Sequence, residues 1–218
     1  MLVELGPDRV QEILALQARV LDRFGPDRIW VHEEAGLTRL FGLGPDFLAL
    51  GVCSGGGLIA VSLSRSMSPP EVEPLTPGLP WCGEPAHIGL NTLSLPDPGS
   101  GPQMIRLLRG RRDRLRGRGV THLFGGVAPD HHVSLGCAFR AGAIGVGHMQ
   151  VPGGTELLLW HGPGAERAGS GGCACVVHSD DLDQQARLMR DGLVAVGLTP
   201  GGRSGLIFAP FRSGGGPL

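Results

Sequence analysis

The stretch HIGLNTLSLPDPGSGPQMIRLLRGRRDRLRGRG, residues 87–119, constrains the fold more than any other. An apolar run of strand length (87–95) passes through a Gly/Pro-rich turn. It then enters a helix from about Pro102 to Arg118, with proline in its first turn, where a missing N–H does no harm. Such a unit needs a sheet on one side and a packed helix on the other. It also presents the unpaired N–H groups of a helix start, which attract an anion. Gly99 and Gly101 can form an anion nest, although Pro102 removes one donor.

The flanking segments extend this pattern. LVEL (2–5) reads as a strand, followed by a helix with Val10, Ile13, Leu14, Leu16, Val20 and Leu21 at helical spacing. A second helix is expected over Ile29–Leu40. FLALGVCS and LIAVSLSR, joined by Gly55-Gly56-Gly57, read as a hairpin. Residues 67–85 hold six prolines and read as a loop. THLFGGV (121–127) is a strand, and a helix follows from Asp130 to about Arg140. AIGVGHMQV and ELLLWH are two further strands. A linker (162–172) leads to a strand (CACVV), a helix over about Leu182–Val196 and a last strand, GLIFAPF. The order predicts an α/β fold with a mixed sheet and helices on both faces. It divides into a domain over 1–161 and a small β-α-β extension over 173–211.

Charge sharpens the opening observation. The chain carries −1 overall and has no Lys, yet residues 103–120 hold seven Arg against one Asp, +6, which leaves −7 elsewhere. A compact basic patch on an acidic protein fits a phosphate-bearing ligand better than general nucleic-acid affinity. Met104, Leu108 and Leu115 form the face of that helix expected to bury. Arg111 falls beside it and must snorkel or pair. The five cysteines have no framework spacing, and neither a basic leader nor an eighteen-residue apolar run is present, so a cytoplasmic location without membrane insertion is expected. Cys173-x-Cys175 with His178 and Asp180 lacks a second ligand pair, so no metal is expected.

Three stretches resemble the GNAT acyltransferase superfamily. LVELGPDRVQEILALQ resembles its first strand and helix. NTLSLPDPGSGPQMIRLL resembles its central strand, turn and donor-binding helix. GVAPDHHVSLGCAFRAGAIGVG resembles its later strand–helix–strand. Together they cover about residues 1–161. The resemblance implies a splayed sheet that admits the pantetheine arm of an acyl-CoA against the backbone of Leu93, Ser94 and Leu95. The pyrophosphate would lie on Gly99, Ser100, Gly101 and Gln103, with Arg106 and Arg109 near the nucleotide. The chain departs from the family at the glycine loop, where Gly99, Pro102 and Met104 occupy the usual positions. It also lacks the tyrosine that protonates the leaving thiolate, since it contains no Tyr at all.

Acyl transfer to an amine needs a base and a donor to the oxyanion. Period-two alternation places His87, Gly89, Asn91, Leu93 and Leu95 on one face of the central strand. Glu84 and His87 are candidate bases, Asn91 can orient the amine or a water, and His131 stands at a helix start. The expected activity is N-acyl transfer from acyl-CoA to a small-molecule amine, in specialised metabolism. Acceptor selection is expected from residues 67–85 and Trp30–Glu34, with the C-terminal extension as a further candidate. The alternatives are an aminoacyl-tRNA-dependent transferase, with the arginine helix on tRNA, or a non-catalytic ligand-binding descendant. The chain is expected to be a monomer or a homodimer.

Overall fold

A computed structural model describes residues 1–25, 30–95, 100–165, 168, 174–200 and 205–211, without the Ser100 side chain. Its contacts divide the chain into two compact units, one of residues 1–66 and 87–119 and one of residues 67–86 and 120–218.

In the first unit β1 (Leu2–Glu4), β2 (Phe47–Ser54), β3 (Gly57–Met67) and β4 (Ala86–Ser94) lie side by side in that order. The β2–β3 pair is the expected antiparallel hairpin, with Leu50 opposite Ser62 and Ser54 opposite Gly57. Helices α1 (Val10–Phe24) and α2 (Glu34–Phe41) cover one face. There Ile13, Leu16, Val20 and Leu37 bury against Phe47, Ala49, Val61, Leu63, Leu93 and Leu95. Residues 26–29 lie outside the described residues, and α2 begins at Glu34 rather than near Ile29. Helix α4 (Ser100–Gly117) sets Leu107 against Val52 and Ala60 of the other face.

The second unit opens with part of the Pro-rich segment. Proline did not exclude helix there: Pro69 occupies the first turn of α3 (Pro69–Val72), and Ser68 and Glu71 form a capping box around it. Then come β5 (His122–Val127), α5 (His132–Arg140), β6 (Ile144–Val151), β7 (Gly154–His161), β8 (Cys175–His178), α6 (Leu182–Arg190), β9 (Leu193–Leu198) and β10 (Gly205–Pro210). Their spatial order is β5-β7-β6-β9-β10-β8. Helix α6 does not run to Val196. Gly192 takes φ 82°, which ends the helix, and the alternating run Leu193–Leu198 becomes β9, paired with β10. The extension is therefore β-α-β-β, and its β9 joins β6 at Gly145 and Ala195.

Candidate functional site

In the first unit the central strand breaks its own alternation. A Cβ on Gly89 would lie 2.6 Å from the Arg111 guanidinium, so Gly89 faces α4. The Thr92 hydroxyl meets the Ser62 hydroxyl at 3.1 Å, and Ser62 accepts from Arg111 Nη1 at 2.9 Å, so Thr92 faces α4 as well. Two residues three apart share a face only where the period of two is interrupted, as at a β-bulge. Leu93 and Leu95 consequently pack under α1 and α2, not beside Gly89. This corrects the expectation that residues 87, 89, 91, 93 and 95 share one face.

Arg111 is the unexpected centre of this layer. It neither snorkels nor meets a carboxylate among the described residues. Burial alone pushes its pKa down to about 10, and its Nε has no partner among the described residues. The buried His87 beside this cationic group is also depressed, to about 4, chiefly by burial. It stays a neutral imidazole at physiological pH, and its Nδ1 has no hydrogen-bond partner among the described residues. The Asn91 amide donates to the Trp30 carbonyl at 2.7 Å, while Gln17 holds the His32 backbone through two bonds of 2.8 Å. Asn91 therefore anchors the segment before α2, which leaves the Trp30 ring exposed.

Among the expected donor contacts, Leu95 N–H donates to the Ile59 carbonyl and its own carbonyl takes the Ser94 hydroxyl at 3.3 Å. Gly99 and the Ser100 side chain lie outside the described residues. Gly101 and Gln103 occupy the first turn of α4, and Gln103 Oε1 is buried without a partner among the described residues. Arg106 and Arg109 are exposed. The remaining arginines are more committed than the charge count suggested. Arg114 and Arg118 both pair with Glu4, and Arg112 pairs with Asp113.

In the second unit Glu84 meets His122 rather than a residue of β4. Trp160 Nε1 donates to His122 Nδ1 at 3.1 Å, which places the neutral ring's proton on Nε2. That nitrogen is 3.7 Å from the Glu84 carboxylate. Burial lowers the His122 pKa and Glu84 opposes the shift. Glu84 itself is held below the usual carboxylate range, first by the Cys82 backbone N–H at 2.6 Å. His131 is half-buried at the N-cap of α5, and its backbone N–H donates to Ala128. Its neighbour His132 meets the buried Ser179 hydroxyl at 3.2 Å.

The residue that sequence reasoning missed is Glu156 of β7. It is half-buried, its pKa is raised by burial, and no described residue bonds or pairs with it. Its carboxylate occupies the space that a Cβ on Gly126 would fill, with the Met149 sulfur alongside. A desolvated carboxylate without a partner can accept a proton from, or hold, a cationic amine. The one sequence signal was Gly125-Gly126 inside a strand, which marks a close approach by something else. Cys173 lies outside the described residues. Among the described ones, no three of His, Cys, Asp and Glu cluster to hold an ion.

No protein-family model matches the chain, and no curated protein sequence does. Solved structures do. An aminoglycoside acetyltransferase, AAC(6')-Ib, in complex with coenzyme A and kanamycin, superposes with a TM-score of 0.54 at 14% identity, over 77% of this chain and 96% of that one. An N-acetyltransferase from Staphylococcus aureus gives 0.56 at 8% identity, over 74% and 96%. The ribosomal-protein-S18-alanine N-acetyltransferase from Escherichia coli gives 0.51 at 14%, over 73% and 91%. With the α/β order and strands described above, these likenesses establish that the chain has the fold of the GNAT N-acetyltransferases.

Proposed function

We propose that the chain is an N-acyltransferase that moves an acyl group from acyl-CoA to the amine of a small molecule. The observation that carries this is Glu156, a desolvated carboxylate without a partner among the described residues, set over a strand glycine in this fold. An amine reaches a neutral active site as an ammonium, which a carboxylate attracts and deprotonates. The freed nitrogen attacks the thioester carbonyl, the tetrahedral adduct gives its second nitrogen proton to water, and it collapses to the amide as the thiolate leaves. A raised pKa brings Glu156 closer to the amine's own, which favours proton transfer. With no tyrosine in the chain, the thiolate takes its proton from water or departs as the anion.

The donor contacts belong to the first unit: the backbone around Leu93–Leu95 and the start of α4 with Gly99, Ser100, Gly101, Gln103, Arg106 and Arg109. Gln103 Oε1, without a partner among the described residues, supports a polar ligand there. Glu84, His87, Asn91 and His131 take supporting places. Glu84 shapes the turn beside His122, Asn91 fixes the Trp30 segment for the acceptor, and His131 lies at the start of α5. Solved relatives of the fold with coenzyme A and an aminoglycoside bound make a thioester donor and an amine acceptor the natural pair. The aminoacyl-tRNA reading is weakened by the arginine helix, because Arg111, Arg112, Arg114 and Arg118 have partners within the unit.

The test is release of free CoA thiol from acetyl-CoA across a panel of primary amines, with Glu156→Gln in parallel. Amine-dependent release that the variant loses supports the reading. Release that is independent of amine, or unchanged in the variant, contradicts it.

A further inference from the structure

Residues 120–161 and 173–211 run through the same elements in the same order, β-α-β-β. Helix α6 (Leu182–Arg190) lies 50 positions after α5 (His132–Arg140) at both ends. Gly142 and Gly192, also 50 apart, sit at φ 96° and 82° just before β6 and β9. The strand registers repeat as well. In β5–β7, Val127 faces Leu157, Gly126 faces Leu158 and Gly125 faces Leu159. In β8–β10, Val177 faces Leu206, Val176 faces Ile207 and Cys175 faces Phe208. Each pair is displaced by 50 on the first strand and 49 on the second. The same displacement carries His148 opposite Leu157 and Gly147 opposite Leu158 onto Leu198 opposite Leu206 and Gly197 opposite Ile207. Even the irregularity is copied: the ladder skips Val146 between Gly145 and Gly147, and Val196 between Ala195 and Gly197.

The two copies join through β6 and β9, antiparallel, and the joined residues Gly145 and Ala195 are themselves counterparts 50 apart. A residue facing its own counterpart is the mark of a two-fold axis, as in an isologous dimer. Helix α5 packs on β9, and α6 lies over both β9 and β6, where Gln185 Oε1 meets His148 Nε2 at 3.0 Å.

We propose that residues 173–211 are a second copy of the 120–161 module, serving as a built-in partner. They occupy the β6 edge that a second chain's β6 would take, so the protein is a monomer. The copy keeps the packing and drops the chemistry. Glu156 over Gly126 becomes Gly205 beside Val176, where a Cβ on Gly205 would meet Val176 at 2.9 Å. Large and small residues have changed places, so packing does not require a carboxylate. The partner-only role of the second copy rests on the Glu156 reading above; the duplication does not.

The experiment uses the full chain with Gly145→Cys and Ala195→Cys. A Cβ at residue 145 lies 3.0 Å from that of Ala195, so a shift of ~0.5–1 Å reaches disulfide range. The expected result is an intrachain cystine between positions 145 and 195, found by peptide mass after mild oxidation and absent from Gly145→Cys alone, at a native mass of 22.7 kDa. An interchain cystine, or none in the folded variant, overturns the proposal. Should the double variant not fold, sedimentation of the unaltered chain decides: a single species of 22.7 kDa at all concentrations is expected, and twice that mass overturns it. Neither measurement depends on turnover, so failure here leaves the acyltransfer reading standing.

Discussion

Replacing Arg111 with methionine should stabilise the protein. The guanidinium is buried beneath α4, against the bare backbone of Gly89, with one hydrogen bond to Ser62 and no carboxylate partner. Its pKa lies at about 10, well below that of a guanidinium in water. At ~1.4 kcal/mol per pH unit, keeping the charge buried at neutral pH costs about 3 kcal/mol. A base with a depressed folded pKa carries that cost in full below about pH 10 and loses it only as pH rises beyond that toward the unfolded value. Methionine keeps most of the volume over Gly89 and removes the charge. It gives up a charge-assisted hydrogen bond worth ~1.5–3 kcal/mol, but Ser62 retains Thr92 at 3.1 Å. The net gain is about 1 kcal/mol, a rise in Tm of ~2–4 °C for a chain of this size. The assay is thermal unfolding by circular dichroism at pH 7, with Arg111→Ala as the companion that removes charge and volume together and should lose stability to the cavity. A fall of several degrees in Arg111→Met would refute the reasoning, because it would mean the charge is compensated inside the fold.

Other substitutions probe the rest of the account. Glu156→Gln should lower amine-dependent CoA release by ~10²–10⁴-fold with the fold intact, as loss of a general base does. It should also flatten a pH effect. Between the ordinary carboxylate pKa and the raised folded one, the native state holds a proton that the unfolded chain has released. Wild-type stability therefore falls as pH rises through that window and levels off above it, and the variant lacks this slope in denaturant titrations. His122→Leu strands the Trp160 indole N–H in the core and should cost ~1–3 kcal/mol by urea unfolding. Gly142→Ala and Gly192→Ala each force a side chain into left-handed backbone, so each should cost ~1–2 kcal/mol, by similar amounts if the two turns are copies.

Local periodicity made much of the architecture legible. The stripe in α1, the β2–β3 hairpin and the helix α4 each declare themselves within a dozen residues. Features that depend on a distant partner did not. The alternation of β4 fails because Thr92 is drawn to Ser62, thirty positions away in the chain, which Arg111 also bonds. The run after Gly192 has too few residues for its own sequence to separate strand from helix, and β10 decides it. Glu156 reads as one more acidic residue until Gly126 is set beneath it. The second copy of the module is hidden for the same reason: its sequence trace is little more than Arg140/Arg190, Gly142/Gly192 and Val146-Gly147/Val196-Gly197, while the backbone register repeats pair by pair. The break in the β4 alternation and the commitment of four arginines both change how the candidate donor region is read.

The most direct test of the acyl-CoA reading is calorimetric titration of the purified chain with acetyl-CoA and with free CoA, at low and moderate salt. The account predicts a single site with a micromolar Kd for both, weakened modestly by salt. Absence of binding up to millimolar ligand would contradict it.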